Sequence, residues 1–281
     1  MFGVVVNYFA KPDHPTSVKE SAKFAVSLLK NCPEVNSVIL VDGSSEVDTE
    51  FQNYCESIGV NYQHAGKQMS FAEAYNYGVN LLSEEWIVTM ASDIYVFPET
   101  FTNFKNFIEK NQDLQIGCLI PYLSRCDLPI QRTAHNFQKF SCYAPIMSYN
   151  LNVFPKAVFQ KIGGLSTKYS GNFNDIDTSI KLKEMGLNIF MLNSYVHHYG
   201  RLTLRHGSNV DARGDWQQFY TDYPELKCNS DLWNIRLDKF LRHPLLKIVF
   251  LMNLKVKNKD LRTKINTWIY DNISNYQRVK S

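Results

Sequence analysis

The sequence predicts an α/β fold, a mixed sheet flanked by helices, followed by a helical and basic C-terminal extension. Three observations predict it. Over the first 120 residues, β-branched apolar runs alternate with segments of helical period, the order of a parallel sheet with helices on its faces. The 281 residues are 44% hydrophobic and 14% aromatic, ample for a sizeable core. No repeat or low-complexity tract interrupts the pattern, and with 20% charged residues global disorder is excluded.

The elements follow in order. "GVVVNYF" is a strand by β-branched content. "SVKESAKFAVSLLKN" is an amphipathic helix, with Val18, Ala22, Ala25, Val26 and Leu29 on one face and Ser17 as its cap. "SVILVDGSS" runs from a strand into a turn, "DTEFQNYCESIG" is helical, and "VNYQHAG" is a short strand. "SFAEAYNYGVNLLS" is a helix and "WIVTMAS" a buried strand. From about 115 to 165 the pattern is less regular. "IGCLIPYLS" and "SCYAPIMSYNLNVF" read as strands with antiparallel pairing, and "PKAVFQKIGG" as a short helix with Pro in its first turn. A helix from about Asp175 to Met185, capped by Asn174 and stopped by Gly186, precedes a further strand. Beyond Gly214 the pattern is helical with no clear strand. This divides the chain into 1–213 and 214–281.

The N-terminus "MFGVVVNYF" has no basic segment, long apolar stretch or cleavage site of a signal peptide. The longest apolar candidate, "LLKIVFLMNL", is far short of a membrane span and contains Lys247. The six cysteines show no metal-ligand spacing and read as free thiols. A cytoplasmic protein is expected. Charge is uneven: eleven Lys and Arg against three Asp give residues 235–281 a charge of +8, which leaves −5 for the rest of a chain of net +3. Such a tail suits an anionic partner.

Parallel sheets bind ligands beyond the carboxyl ends of their strands. Two carboxylates, Asp42 and Asp93, stand at such ends. Asp42 either accepts hydrogen bonds from a nucleobase or ribose or shapes a turn with Gly43. Lys67 beside the helix start at Ser70 suits a phosphate, and equally an ordinary surface helix. Asp93 closes the run "WIVTMASD" and suits Mg²⁺ or Mn²⁺, or else caps a turn. Asp175 and Asp177 begin a helix, where acids also satisfy the helix dipole. In "SYVHHYGR" one of the two adjacent histidines can face a site, with Arg201 nearby.

Taken in order, "VDGSS", "GKQMSFAEAYNYGV", "ASD", "GGLSTKYSGNFNDIDTSIKLKEMG" and "VHHYG" resemble the motifs of the GT-A fold glycosyltransferases, specifically the family-2-like inverting group. The resemblance spans about residues 3–205 and is specific as a set. It implies a Rossmann-like GT-A sheet that binds a nucleotide-diphosphate sugar. It implies donor-nucleotide contacts at Asp42 and Asn76, joined by Asn7, Lys67 and Ser92. It implies a Mn²⁺ or Mg²⁺ ion at Asp93 and His198, Asp175 as catalytic base, and Arg201 and Asp177 as contacts to diphosphate or acceptor. Two positions depart from the pattern: Ala91 replaces the first acid of the metal motif, and Asn174 replaces the Glu before the base.

The resemblance also implies a glycan or lipid-linked acceptor and a role in surface polysaccharide or glycolipid synthesis. In the tail, Leu241, Leu245, Val249, Met252 and Val256 recur at helical spacing among Lys and Arg. Such a helix lies on an anionic membrane, here the inner face, or packs on the catalytic domain. A nucleic acid or other anionic polymer is the third acceptor class. Arg125, Arg132 and Tyr143 are candidates for acceptor contact. A degenerate, non-catalytic carbohydrate-binding or scaffold subunit is the competing class, kept open by Ala91 and Asn174. A sugar-nucleotide pyrophosphorylase is disfavoured, because "NYFAKPDHP" after the first strand lacks the Gly-rich basic loop that chemistry needs.

Overall fold

The structure, a computed structural model, describes residues 1–126, 131, 141–144, 146–200, 202, 210–224, 258, 261 and 278–279. In chain order its elements are β1 (Phe2–Tyr8), α1 (Thr16–Leu29), β2 (Val35–Asp42), α2 (Thr49–Ser57), β3 (Asn61–His64), α3 (Phe71–Leu81), β4 (Trp86–Ala91), β5 (Ile94–Tyr95), α4 (Glu99–Lys110), β6 (Ile116–Leu123), β7 (Ser141–Ala144), β8 (Leu151–Pro155), α5 (Lys156–Lys161), α6 (Asn174–Glu184), β9 (Asn188–His198), α7 (Ala212–Asp222) and β10 (Arg278–Val279). The main sheet runs β10-β7-β9-β6-β8-β4-β1-β2-β3. The half from β4 to β3 is parallel, as the alternation in the sequence predicts. β8 enters antiparallel between β4 and β6, and β9 lies parallel to β6. The mixed α/β sheet flanked by helices is therefore the architecture found.

One face of the sheet packs α1, α2 and α4 through Val18, Val26, Phe51, Phe101, Phe104 and their neighbours. The other packs α3 and α5 through Tyr75, Val79 and Phe159. Four cysteines, 32, 55, 118 and 126, are buried. Burial pushes the Cys32 thiol up to about 11, so it stays protonated and inert.

Several local expectations change. Pro15, with no side-chain hydrogen bond, precedes α1, so Ser17 lies inside that helix and caps nothing. Ser70 does cap α3, in a reciprocal box with Glu73. α4 was not expected, although Phe101, Phe104 and Phe107 give it an apolar stripe. "SCYAPIMSYNLNVF" breaks into β7 and β8 rather than one strand. Two residues of the tail, Arg278 and Val279, form a strand on β7, where only helix was expected.

The helix α6 starts in an unusual way. Its N-cap is Phe173, in the left-handed region at φ 64°, and Asn174 is already helical. For a bulky residue that conformation costs on the order of 1–3 kcal/mol. Aromatic packing offsets it: Phe173 stacks on Phe219 at 4.6 Å and meets Trp216 edge-on at 4.7 Å. Both partners belong to α7. That helix also holds the loop before α6, because the buried Asp215 carboxylate accepts from the N–H groups of Ser170, Gly171 and Asn172 and from the Ser170 hydroxyl. The division expected at 213/214 falls inside α7, and Phe219 is part of the main core.

This packing makes α7 integral to the main body of the fold. Phe219→Ala is expected to cost about 3–5 kcal/mol, as for other fully buried aromatics, measured by urea unfolding. A loss below about 1 kcal/mol would make α7 an appendage.

Candidate active site

The carboxyl ends of β1, β2 and β4 meet at one rim, and each carries a predicted residue. Asp42 ends β2, fully buried. Its Oδ1 accepts from the Ser44 N–H at 2.9 Å and its Oδ2 from the Tyr62 hydroxyl. Burial, and then the Asp42 carboxylate, push the Tyr62 phenol upward, so it remains a proton donor. His64 completes this corner. Its Nε2 lies 3.0 Å from the Ser44 carbonyl, which can only accept, so Nε2 carries the proton and Nδ1 accepts from the Gly66 N–H. Of the two readings open for Asp42, the turn-shaping one describes the bonds it makes here.

Asn7 lies near the end of β1, in register with Val41 and Ala91 on either side. Ser92 is buried just past β4, its carbonyl accepting from the Ser21 hydroxyl at 3.3 Å. Lys67 is exposed, 3.8 Å from Glu73. Asn76 is placed differently from the expectation. Its amide nitrogen donates to the Leu165 carbonyl and its oxygen accepts from the Leu165 N–H, both at 2.9 Å. A mid-helix Asn thus clamps the loop after α5, which explains a residue type of poor helix propensity there. It also explains Gly164: a Cβ on that residue, at φ +69°, would stand 2.5 Å from the Asn76 oxygen. Asn76 serves the scaffold where a nucleotide contact was expected.

Asp93 and His198 come together. β5 pairs antiparallel with the end of β9, setting Ile94 opposite His198. His198 Nε2 lies 3.5 Å from Asp93 Oδ2, and the Tyr199 N–H donates to the Asp93 carbonyl. His198 Nδ1 is 2.7 Å from the Arg125 carbonyl, so Nδ1 carries a proton and Nε2 is turned to the carboxylate. Burial alone would raise the Asp93 carboxyl. His198 and the Leu202 N–H at 3.2 Å outweigh it, and the net shift is downward.

These residues fit a divalent cation. A protonated Nδ1 held by a carbonyl is the usual support of a metal-ligating imidazole. Two ligands of one octahedral Mg²⁺ or Mn²⁺ stand roughly 3 Å apart, near the spacing of Nε2 and Oδ2. Ala91 supplies no oxygen, and among the described residues no cluster of three or more His, Cys, Asp or Glu could hold a metal. Two protein ligands suit an ion that takes its other ligands from water and a diphosphate.

Asp175 sits half-buried in the first turn of α6. Its Oδ1 accepts from the Ile176 N–H at 2.9 Å, and its carbonyl accepts from Ser179. Two tyrosines, the buried Tyr75 and the half-buried Tyr149, pack ring to ring beside α6. Burial, and then the Asp93 charge, push the Tyr75 phenol of α3 upward. Its ring is 6.4 Å from that of Tyr149, whose hydroxyl is 3.0 Å from Thr178 and whose phenol is pushed upward by burial. The Asn150 carbonyl, next in sequence, accepts from the Ala91 N–H. The end of β4, just before Asp93, and the first turns of α6, which carry Asp175, are thus linked through Asn150 and Tyr149. Neither tyrosine was singled out in the sequence; "SYNLNVF" reads there as strand and gives no signal of a bridge.

Asp177, expected at diphosphate or acceptor, is buried and engaged elsewhere. It accepts from the Tyr223 hydroxyl at 2.7 Å and pairs with Lys181 at 2.8 Å. Tyr143 lies in β7, and Arg132 and Arg201 lie outside the described residues.

A family model for glycosyl transferase family 2 matches residues 22–167. The chain belongs to that family. As a family-2 member it carries the matched segment from α1 to beyond α5, while Asp175 and His198 lie past its end. Among solved structures, the crystal structure of S. aureus TarS superposes with a TM-score of 0.54 at 11% identity. The alignment covers 97% of this chain and 53% of that one, so the chain spans about half the length of that structure. The likeness supports the GT-A-like fold. A search of curated proteins found no match.

Two tests follow from this geometry. Asn76→Ala leaves the Leu165 N–H and carbonyl without their partners and is expected to destabilise by about 2–4 kcal/mol in urea unfolding. Asp93 has a depressed folded pKa, so its stabilisation is present above the ordinary aspartate value of about 3.9 and is lost as pH falls through the folded value. Unfolding curves of wild type and Asp93→Asn are expected to converge below that pH and to separate above it.

Proposed function

We propose that the protein is an inverting glycosyltransferase that moves a sugar from a nucleotide-diphosphate sugar to an acceptor hydroxyl. The observation that carries this reading is the meeting of Asp93 and His198 at the end of β4, in a chain of family 2. The rim at the ends of β1, β2 and β4 takes the donor. Asp93 and His198 would hold a Mn²⁺ or Mg²⁺ ion, whose charge stabilises the departing nucleoside diphosphate. Asp175 accepts the proton of the acceptor hydroxyl. The new C–O bond forms at the anomeric carbon on the side opposite the diphosphate, whose bond to that carbon breaks, and the centre inverts. Asp175 is suited to this by being half-buried and fixed by its neighbour's N–H.

The acceptor is a glycan or lipid-linked hydroxyl, in polysaccharide or glycolipid synthesis. Among the described residues no helix is long and apolar enough to cross a membrane. The +8 charge of residues 235–281 supports a peripheral encounter with an anionic membrane. A non-catalytic carbohydrate-binding role is the second reading, favoured by Ala91 and by Asn174 in place of acids.

Asp175→Asn is expected to lower turnover of the best donor–acceptor pair by about 10²–10⁴-fold while leaving donor binding within a few-fold. Unchanged turnover would remove Asp175 as the base. No Mn²⁺- or Mg²⁺-dependent transfer or hydrolysis across a panel of sugar nucleotides would favour the second reading.

A further inference from the structure

The loop after β6 does more than support His198. Ser124 and Arg125 grip the end of β9 through four bonds. The Ser124 N–H donates to the Val196 carbonyl, and the Ser124 hydroxyl both accepts from the His198 N–H and donates to its carbonyl. The Arg125 carbonyl takes the Nδ1 proton. The main chain of Arg125 is thus fixed to the histidine facing Asp93. Its side chain is steered as well. Arg125 Nη1 donates to the Tyr199 carbonyl at 3.1 Å. Its Cδ lies 3.1 Å from where a Cβ of Gly200 would stand, and Gly200 is at φ +101°. A glycine in a conformation other residues avoid makes the bed for this side chain. The same 199–202 segment donates to Asp93 from Tyr199 N–H and Leu202 N–H.

Arg125 is exposed, and among the described residues no carboxylate lies within ion-pairing distance of it. A guanidinium has five N–H donors, and one bond to a carbonyl leaves most of the fork for another acceptor. The charge of the site calls for such a group. A sugar-nucleotide diphosphate carries two negative charges and gains a third on departure. Asp93 adds one more, and a single divalent ion does not balance the total.

We propose that Arg125 is a direct ligand of the donor's diphosphate, its guanidinium bed built by Gly200 and Tyr199 beside Asp93 and His198. This rests on the donor-binding reading above. It assigns a donor-side role to a residue whose sequence context pointed only to the acceptor. Arg125 adds positive charge at a centre where Ala91 removes a ligand, so affinity for the diphosphate depends on the ion and on the guanidinium together.

Calorimetry and thermal shift with UDP, GDP, CDP and ADP, each paired with its nucleoside and with Mn²⁺ present, test the proposal. For the diphosphate that wild type binds, Arg125→Gln is expected to weaken affinity about 10–100-fold. Arg125→Lys is expected to fall between, keeping charge without the fork. The matching nucleoside should lose less than about threefold, and the melting temperature without ligand should hold, because the Arg125 carbonyl remains. Gly200→Ala, which pushes on the Arg125 side chain, is expected to mimic the loss. Equal diphosphate affinity in Arg125→Gln and wild type overturns the proposal and leaves the transferase reading standing. Equal losses for nucleoside and diphosphate overturn it in favour of a structural role. Failure of wild type to bind any of the four diphosphates overturns both.

Discussion

The pairing of two short stretches, Ile94–Tyr95 with His197–His198, is the constraint on which the site depends. The parallel half of the sheet delivers Asp93 to a carboxyl edge, as any such sheet delivers the residue after a strand. It does not deliver a second group. That comes from β9, which runs parallel to β6 and continues past the sheet to meet β5. Backbone bonds fix the approach before any side chain acts. The Asp93 carbonyl is tied to Tyr199 and the Asp93 carboxylate to Leu202. The loop after β6 holds the other side of β9. The imidazole is thereby pinned in one orientation, with Nε2 aimed at the carboxylate.

A second constraint governs Asp175. Its helix rests on the sheet through Ile176 and Leu182, but the turn that starts it is held by α7. Phe173 adopts a left-handed conformation only because Trp216 and Phe219 pack against its ring. That turn starts α6 at Asn174 and so sets the direction of Asp175. Tyr223 then holds Asp177 two residues on, and Asp215 holds the loop before. The matched family segment ends at residue 167, so the support of the proposed base comes from chain outside it. The two halves of the site thus have different origins: one follows from the alternation of strand and helix, the other from a cluster of aromatic rings.

This difference explains what the sequence made legible. The parallel half of the fold was legible from periodicity, because strands and helices alternate there and Ser70 marks a helix start. The positions of Asp42, Asp93 and His198 were legible from motif order. Roles were less so. Asn76 sits where a motif has a ligand, yet its amide clamps Leu165, and only the clash it would make with a side chain at 164 reveals why. Asp177 looks like half of an acidic pair, yet its partner Tyr223 lies in a segment assigned to the tail. Aromatic residues at Phe173, Trp216, Phe219 and Tyr223 look like scattered core. Their convergence depends on tertiary packing that no local period encodes. α4 was missed despite its stripe of phenylalanines.

Asn174 shows how the departures from the family pattern fit together. It is 2% exposed, and both its amide atoms are without a hydrogen-bond partner among the described residues. Each such group costs on the order of 1–3 kcal/mol. A glutamate in the same place would impose a buried carboxylate, which demands a cation or several donors to be tolerated. The rings packed on Phe173, its neighbour in the chain, are those of Tyr169, Trp216 and Phe219. The amide is therefore the smaller burden for a turn held by hydrophobic stacking. Ala91 reduces negative charge at the other end of the rim in the same way. Both exchanges leave one carboxylate at each position, Asp93 and Asp175. A site built this way concentrates its charge in few groups, so each remaining polar side chain bears a larger share of holding an anionic donor.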